Sequence, residues 1–413
     1  MMKLMNDLWK TKRDLISDDY DESLEYISKI IPLKIHKIST GTKCWTWRIP
    51  EKWSVNEAFV EDMQGNRIID AKDHPLHVVS YSLPTNKTVS KKELMEHIYT
   101  NPNRPGAIPY EFKFYEKGWG FCIQHNRLKE FKKNRYRVFI DSKLEKGKLK
   151  VGDCTIKGKS DKIIVLVAHL DHPMMANDDL SGVAVLVDVA KELRKRDNNY
   201  TYKCIFLPET IGSIAYLSQN EDFIHKMKYG IFFEMLGNNN IHALQLTRQG
   251  NTRLDRIARY VMKRKLSTFR EGAFRKIVGN DEMVFNGPGV NIPMISISRS
   301  PYPEYHTSDD TMGIISEEKL TESKELILEI IDIIDKDYTP FRQFKGPIFL
   351  SGYGLWIDWR KNRKLNSNIE QIMLNLEGDK SIFDISEMLD MEFKDVLDYV
   401  NKFVYKKLVK IIL

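Results

Sequence analysis

The sequence predicts an α/β protein: a mixed central sheet with helices on both faces, plus an inserted small mainly β module and a C-terminal winged helix. Three observations carry this. Short apolar runs alternate with helical patterns through the middle of the chain, an aromatic and turn-rich stretch precedes them, and three closely spaced helical patterns follow near the end.

Composition sets the bounds. At 413 residues the chain has room for two or three domains with full cores. Its 64 basic and 57 acidic residues leave a net charge of +7, mild for this length and dispersed, which argues against a dedicated nucleic-acid binder. Cys44, Cys122, Cys154 and Cys204 show no C-x-x-C spacing, so neither a disulfide framework nor a cysteine zinc site is expected, and buried thiols in a reducing compartment are. No segment reaches the roughly 20 apolar residues that span a bilayer. The expectation is a cytoplasmic protein without membrane association.

In chain order, MMKLMNDLWKTKRDLISDDYDESLEYISKIIP reads as an amphipathic helix with Leu8, Leu15, Leu24 and Ile27 available for burial. Residues 38–118 hold CWTWRIPEKW, VEDMQGNRIID with Gly65 as the turn, HPLHVVSYSLP and NPNRPGAIPY. Short alternating strands between Pro, Gly and Asn signals predict the small β module there. YRVFIDSKLEKGKLKVGDCTIKG reads as a β-hairpin. KIIVLVAHL, apolar without alternation, reads as a strand covered on both faces. SGVAVLVDVAKELRKR is then a helix, TYKCIFLPE a strand, SIAYLSQNEDFIHKM a helix and YGIFFEML a strand. The predicted organisation is a main domain of 1–37 and 119–345, the module of 38–118, and a linker with the winged helix over 346–413.

The winged-helix expectation rests on SNIEQIMLNLEGD, SIFDISEMLD and EFKDVLDYVNKFVYKKLVKIIL, with Ile369, Ile372, Met373 and Leu376 on one face of the first helix. Glu392, Asp395 and Asp398 fall on the helix that would read DNA, where phosphate repels them, so protein docking or dimerisation is favoured over DNA binding.

Ligand chemistry concentrates in HLDHPMMANDDLSG, residues 169–182. In a sheet of this class chemistry sits at the carboxyl ends of strands. His169 directly follows an apolar strand, and Asp178 precedes a helix. Glu209, Glu234 and His306 come from other strand ends or loops, which completes a donor set that suits zinc, with a carboxylate to spare for acting on water. Singly, each residue reads as well as a satisfied polar or capping group; Asp281 and Glu282, in GNDEMVF, are candidates for holding a substrate amine or else solvated loop carboxylates.

These motifs resemble those of the zinc aminopeptidases of clan MH over roughly residues 120–340. The resemblance implies metal ligation by His169, Asp178, Glu234 and His306, with Asp178 bridging two ions, Asp171 supporting His169, and Glu209 as general base. Tyr305, in YHTSDDT, joins the substrate-binding candidates. Thr210 stands where that clan has a second glutamate, and His172 is the candidate to replace it. A closer resemblance, carried by TWRIPEKW, DHPLHVVSYSLP and PETIGSIAYL, is to bacterial aminopeptidase-like proteins often found in polysaccharide or surface-glycan loci. The wider clan implies a metallopeptidase or amidohydrolase with one or two zinc ions, acting on a peptide or amino-acyl amide, or on another amide in the closer group. Two alternatives stay open: a weakly catalytic metal-binding scaffold, and a DNA-binding regulator. The oligomeric state is left open.

Overall fold

The computed structural model describes residues 1–412. The chain separates into two compact units, one of Met1–Asp255 with Leu266–Glu325, the other of Arg256–Lys265 with the chain from Leu326 onward.

The first unit is built on an eight-stranded mixed sheet. Its strands run in the order Lys34–Ser39, Lys148–Ile156, Thr201–Leu207, Ile163–His169, Met227–Glu234, Met294–Ser298, Ala243–Gln245 and Arg270–Gly272. The four from Thr201–Leu207 to Met294–Ser298 are parallel to their neighbours, and the antiparallel strands lie outside them. Every residue of Ile163–His169 is buried, as its unbroken apolar run requires for a strand covered on both faces. The helix Leu180–Leu193 follows it and packs against this strand and the Glu234 strand.

Two sequence expectations change here. The N-terminal stretch forms two helices, Met2–Leu8 and Asp18–Ser28, because the Ser17 hydroxyl accepts from the Tyr20 N–H and starts the second one. Leu8, Leu15, Leu24 and Ile27 are all buried nonetheless. The expected hairpin is absent: Arg135–Glu145 pairs with Lys52–Asp62 and Thr85–Ser90, while Lys148–Ile156 belongs to the large sheet. Alternation gives the face of a strand but not its partner. At the crossover a Cβ on Gly147 would come within 2.6 Å of the Lys52 Cβ, so only glycine fits. The small sheet therefore has four strands, ordered Arg67–Asp70, Lys52–Asp62, Arg135–Glu145, Thr85–Ser90, and it draws one of its two inner strands from beyond residue 118.

The second unit holds the helices Arg363–Leu374, Ile382–Met388 and Phe393–Tyr405 and a ribbon in which Thr339–Arg342 pairs antiparallel with Val409–Ile412. Ile369, Ile372 and Leu376 are buried in it, and Met373 is half-buried. A reciprocal cap between Ser381 and Asp384 starts the middle helix. The expected boundary at 346 falls inside this unit, after its first ribbon strand. The four cysteines are buried and unpaired. Among the described residues no helix is long and apolar enough to cross a membrane.

Asp14, 5% exposed in the break between the first two helices, has an oxygen with no hydrogen-bond partner. Burial pushes its carboxyl up from 3.8 to about 7, against the opposing pull of the Ser80 hydroxyl. Between those two values the folded chain keeps a proton that the unfolded chain has lost, so this group makes stability fall as the pH rises through the window. The stability difference between Asp14→Asn and the parent, followed by urea unfolding, is expected to grow by roughly 2–4 kcal/mol in favour of the variant from pH 4 to pH 8. A difference that stays constant would show that Asp14 ionises as freely folded as unfolded.

Candidate metal centre

The site lies at the carboxyl ends of the parallel strands. His169 ends its strand fully buried, and the loop after it turns back so that Asp171, His172 and Asp178 are also enclosed. Asp178 is the hub. Its Oδ1 lies 3.3 Å from His169 Nε2 and 3.4 Å from His172 Nδ1, and its Oδ2 lies 3.1 Å from His306 Nε2. Ligand atoms of His172, Asp178 and His306 fall within 4.8 Å of one another, as do those of His169, Asp171 and His172.

Neighbouring groups hold these side chains in place. Asp179 caps the helix Leu180–Leu193, its Oδ1 accepting from the N–H groups of Gly182 and Met235, which links the loop to the end of the Glu234 strand. Asp310 accepts from the N–H groups of Ala176, Asn177 and Asp178 and from the Tyr302 hydroxyl, so it fixes the whole approach to Asp178. Asp171 accepts from the Glu209 N–H at 2.9 Å and lies 3.4 Å from His169 Nδ1, coupling a histidine to the next strand end. Arg13 is wholly buried and donates to the carbonyls of Leu8, Leu170 and Met175, tying the N-terminal segment to the first half of the loop. Tyr110, from the inserted region, sets its ring edge-on to His172 and His306 at 5.3 and 5.4 Å between centroids, and its N–H donates to the His306 carbonyl.

The electrostatics favour a cation. Burial alone would hold both imidazoles neutral, but for His169 the carboxylates of Asp171 and Asp178 outweigh it and raise the pKa well above the ordinary range. For His172 the same contest, won chiefly by Asp178, ends at about 10. The carboxylates thus hold positive charge on the ring nitrogens. A divalent ion would replace those protons. The donor set fits zinc: His169 Nε2, His172 Nδ1, His306 Nε2, both oxygens of Asp178 and one oxygen of Glu234 are buried and make no hydrogen bond.

The comparisons fit this geometry. A family described as a domain of unknown function, DUF4910, matches residues 2–337. The chain belongs to that family. A Clostridium acetobutylicum protein, named as a candidate polysaccharide biosynthesis protein with an aminopeptidase-like domain, is 36% identical over 338 residues, which are 81% of this chain and 78% of the relative. The crystal structure of a candidate peptidase from Clostridium acetobutylicum matches with a TM-score of 0.88 at 32% identity, over 99% of this chain and 95% of that one. BSAP, a zinc aminopeptidase from Bacillus subtilis, shares the fold at a TM-score of 0.62 and 14% identity, over 81% of this chain and 94% of that one. This DUF4910 chain therefore has the zinc-aminopeptidase-like fold that its motifs resemble.

Of the residues singled out from the sequence, the structure brings His169, Asp171, His172, Asp178, Glu209 and His306 into one network. Glu234 is buried beside them and bonded to the Asn280 amide. Glu209 sits at the rim, a quarter exposed, with Oε2 3.3 Å from His172 Nε2. Tyr305, 41% exposed, stacks on His306 at 3.9 Å. Asp281 and Glu282 require a correction, since both are fully buried and cannot meet a substrate amine. Asp281 accepts from the Thr210 N–H and the Ser213 hydroxyl, bracing the turn after Glu209; Glu282 accepts from Gln245 and the Asn280 N–H. Polar groups around a short helix claimed these carboxylates, which a loop of acidic residues does not reveal in sequence.

Sequence reasoning missed Arg13, Tyr110, Asn280 and the clamp role of Asp310. Only Asp310 carried a signal, its place in YHTSDDT.

His172→Ala is expected to weaken zinc binding about 10- to 100-fold. His225→Ala, exposed beyond the helix Glu221–Ile224, should leave it unchanged. Equal zinc titrations for the two variants would remove His172 from the site.

Proposed function

We propose that this chain is a zinc-dependent amide hydrolase, most similar in action to an aminopeptidase, that cleaves a peptide or amino-acyl amide. The observation that carries the reading is the convergence of three imidazoles on the two oxygens of Asp178, with Glu209 at the open rim of the same cluster. His169, His172, Asp178, Glu234 and His306 would hold one or two ions. When bound, zinc polarises an amide carbonyl and lowers the pKa of water toward about 7.

The chain's own contribution is proton handling and orientation. Glu209 takes the proton of the attacking water on its carboxylate and returns it to the leaving nitrogen. Its backbone is pinned by Asp171 and its neighbour Thr210 by Asp281, so the carboxylate has a fixed origin and a short reach. Thr210 brings no carboxylate to the site, and His172, whose ring nitrogens face Asp178 and Glu209, would lend a nitrogen to the ion once the proton it carries is displaced. The name of the Clostridium acetobutylicum relative supports a polysaccharide-biosynthesis setting, in which the amide acted on would belong to a polysaccharide precursor.

Protein purified without added metal is expected to carry zinc by elemental analysis and to hydrolyse members of a panel of amino-acyl and sugar amides. Zinc without turnover of any amide would favour the scaffold reading. Neither zinc nor turnover, even after zinc addition, would sink the proposal.

A further inference from the structure

In the second unit, between the ribbon strand Thr339–Arg342 and the helix Arg363–Leu374, the chain carries GPIFLSGYGLWI, a run without a single charge over residues 346–357. Hydrogen bonds fix it. The N–H groups of Gly352 and Tyr353 donate to the Phe349 carbonyl and that of Leu355 to the Leu350 carbonyl, which closes a turn. Leu355 is buried beneath it, its carbonyl accepting from the Tyr399 hydroxyl, and the Ile357 carbonyl accepts from the Asn366 amide. The rings are left outside: Phe349, Tyr353, Trp356 and Trp359 are between 44% and 73% exposed. So many large apolar side chains kept in water by a fixed loop mark an interaction surface.

Cations follow directly. Arg360, Lys361, Arg363 and Lys364 are all exposed, against the single acid Asp358, which Arg360 engages at 3.0 Å. Lys364 reaches Asp390, while Lys361 and Arg363 form no ion pair among the described residues. Arg363 and Lys364 also open the helix Arg363–Leu374, where the helix dipole disfavours positive charge, so their position does nothing for the fold. Exposed rings that give way to a basic cluster within one short segment match an anionic lipid surface: aromatic side chains enter the headgroup boundary, and lysine and arginine stay with the phosphates. A second copy meeting this patch across a two-fold axis would set the cations against one another. We propose that the loop docks the protein peripherally on a bilayer rich in anionic lipid, with Phe349, Trp356 and Trp359 in the headgroup boundary and Lys361 and Arg363 on the lipid phosphates. This departs from the sequence expectation of no membrane association, which rested on the lack of a spanning segment.

Flotation of the full-length protein with vesicles tests this. Phosphatidylcholine vesicles are compared with vesicles of an equimolar mixture of phosphatidylcholine and phosphatidylglycerol. The parent is expected to bind the mixed vesicles about 10-fold more tightly, with a preference that salt weakens and a blue shift of tryptophan emission. Lys361→Gln/Arg363→Gln should lower affinity for the mixed vesicles about 10-fold. Trp356→Ser/Trp359→Ser should remove both the binding and the blue shift. All four changes lie on the surface, and equal thermal unfolding of parent and variants checks the fold. No flotation of the parent, no preference for the anionic vesicles, or binding that survives both double substitutions would each overturn the inference. So would capture of a single-stranded oligonucleotide in place of vesicles, or, without vesicle binding, a dimer in light scattering that only the tryptophan variant loses.

Discussion

Glu209→Gln is expected to lower amide hydrolysis by about 10² to 10⁴-fold while leaving zinc content unchanged. The substitution keeps the shape of the side chain and removes its capacity to take a proton. Glu209 Oε2 lies 3.3 Å from His172 Nε2, and the glutamate's own N–H is held by Asp171, so the amide should remain in the same place. Turnover and elemental analysis on one preparation check both halves. Zinc loss in this variant would mean that Glu209 is a ligand, and unchanged turnover would take the proton transfer away from it.

Asp178→Asn is expected to fail in the opposite manner, losing metal and activity together. The carboxylate faces His169, His172 and His306 at 3.1–3.4 Å and is itself held well below the ordinary range, chiefly by His172 once the cost of its burial is overcome. Replacing it by a neutral amide leaves three buried or half-buried imidazoles with one common anion fewer. Breaking one partner of a buried charge cluster costs about 3–5 kcal/mol, which corresponds to zinc affinity lower by about two to four orders of magnitude. Equilibrium dialysis measures the affinity, and circular dichroism separates metal loss from unfolding. Zinc retained at parental affinity would displace Asp178 from the centre of the site.

The central sheet was legible because its strands are short apolar runs set between amphipathic helices, a pattern with few alternatives. The candidate site was legible because His169, Glu209 and Glu234 each stand at or just beyond a strand end, which places them on one edge without knowledge of side-chain geometry. What stayed hidden depended on pairing or enclosure. Arg135–Glu145 has the same alternation whether it folds back on the next strand or crosses to another sheet. Asp281 looks like any loop acid until Thr210 and Ser213 close around it. Arg13 lies 157 residues from Leu170 in a run of mixed charge, and nothing local marks it as the cation that enters the core.

That distance also governs when the site can exist during folding. The loop that holds His172 and Asp178 is fastened at one side by Arg13, 157 and 162 residues earlier for its two carbonyl bonds, and at the other by Asp310, 132 to 134 residues later. Contacts so far apart in sequence cost loop-closure entropy and cannot form before both partners have been synthesised. A nascent chain that has reached the helix Leu180–Leu193 has His169, His172 and Asp178 in hand but not the Asp310 clamp or His306. The candidate cluster can therefore assemble only after the chain has been made through Asp310, and a fragment released earlier carries His169, His172 and Asp178 without the groups that hold them together.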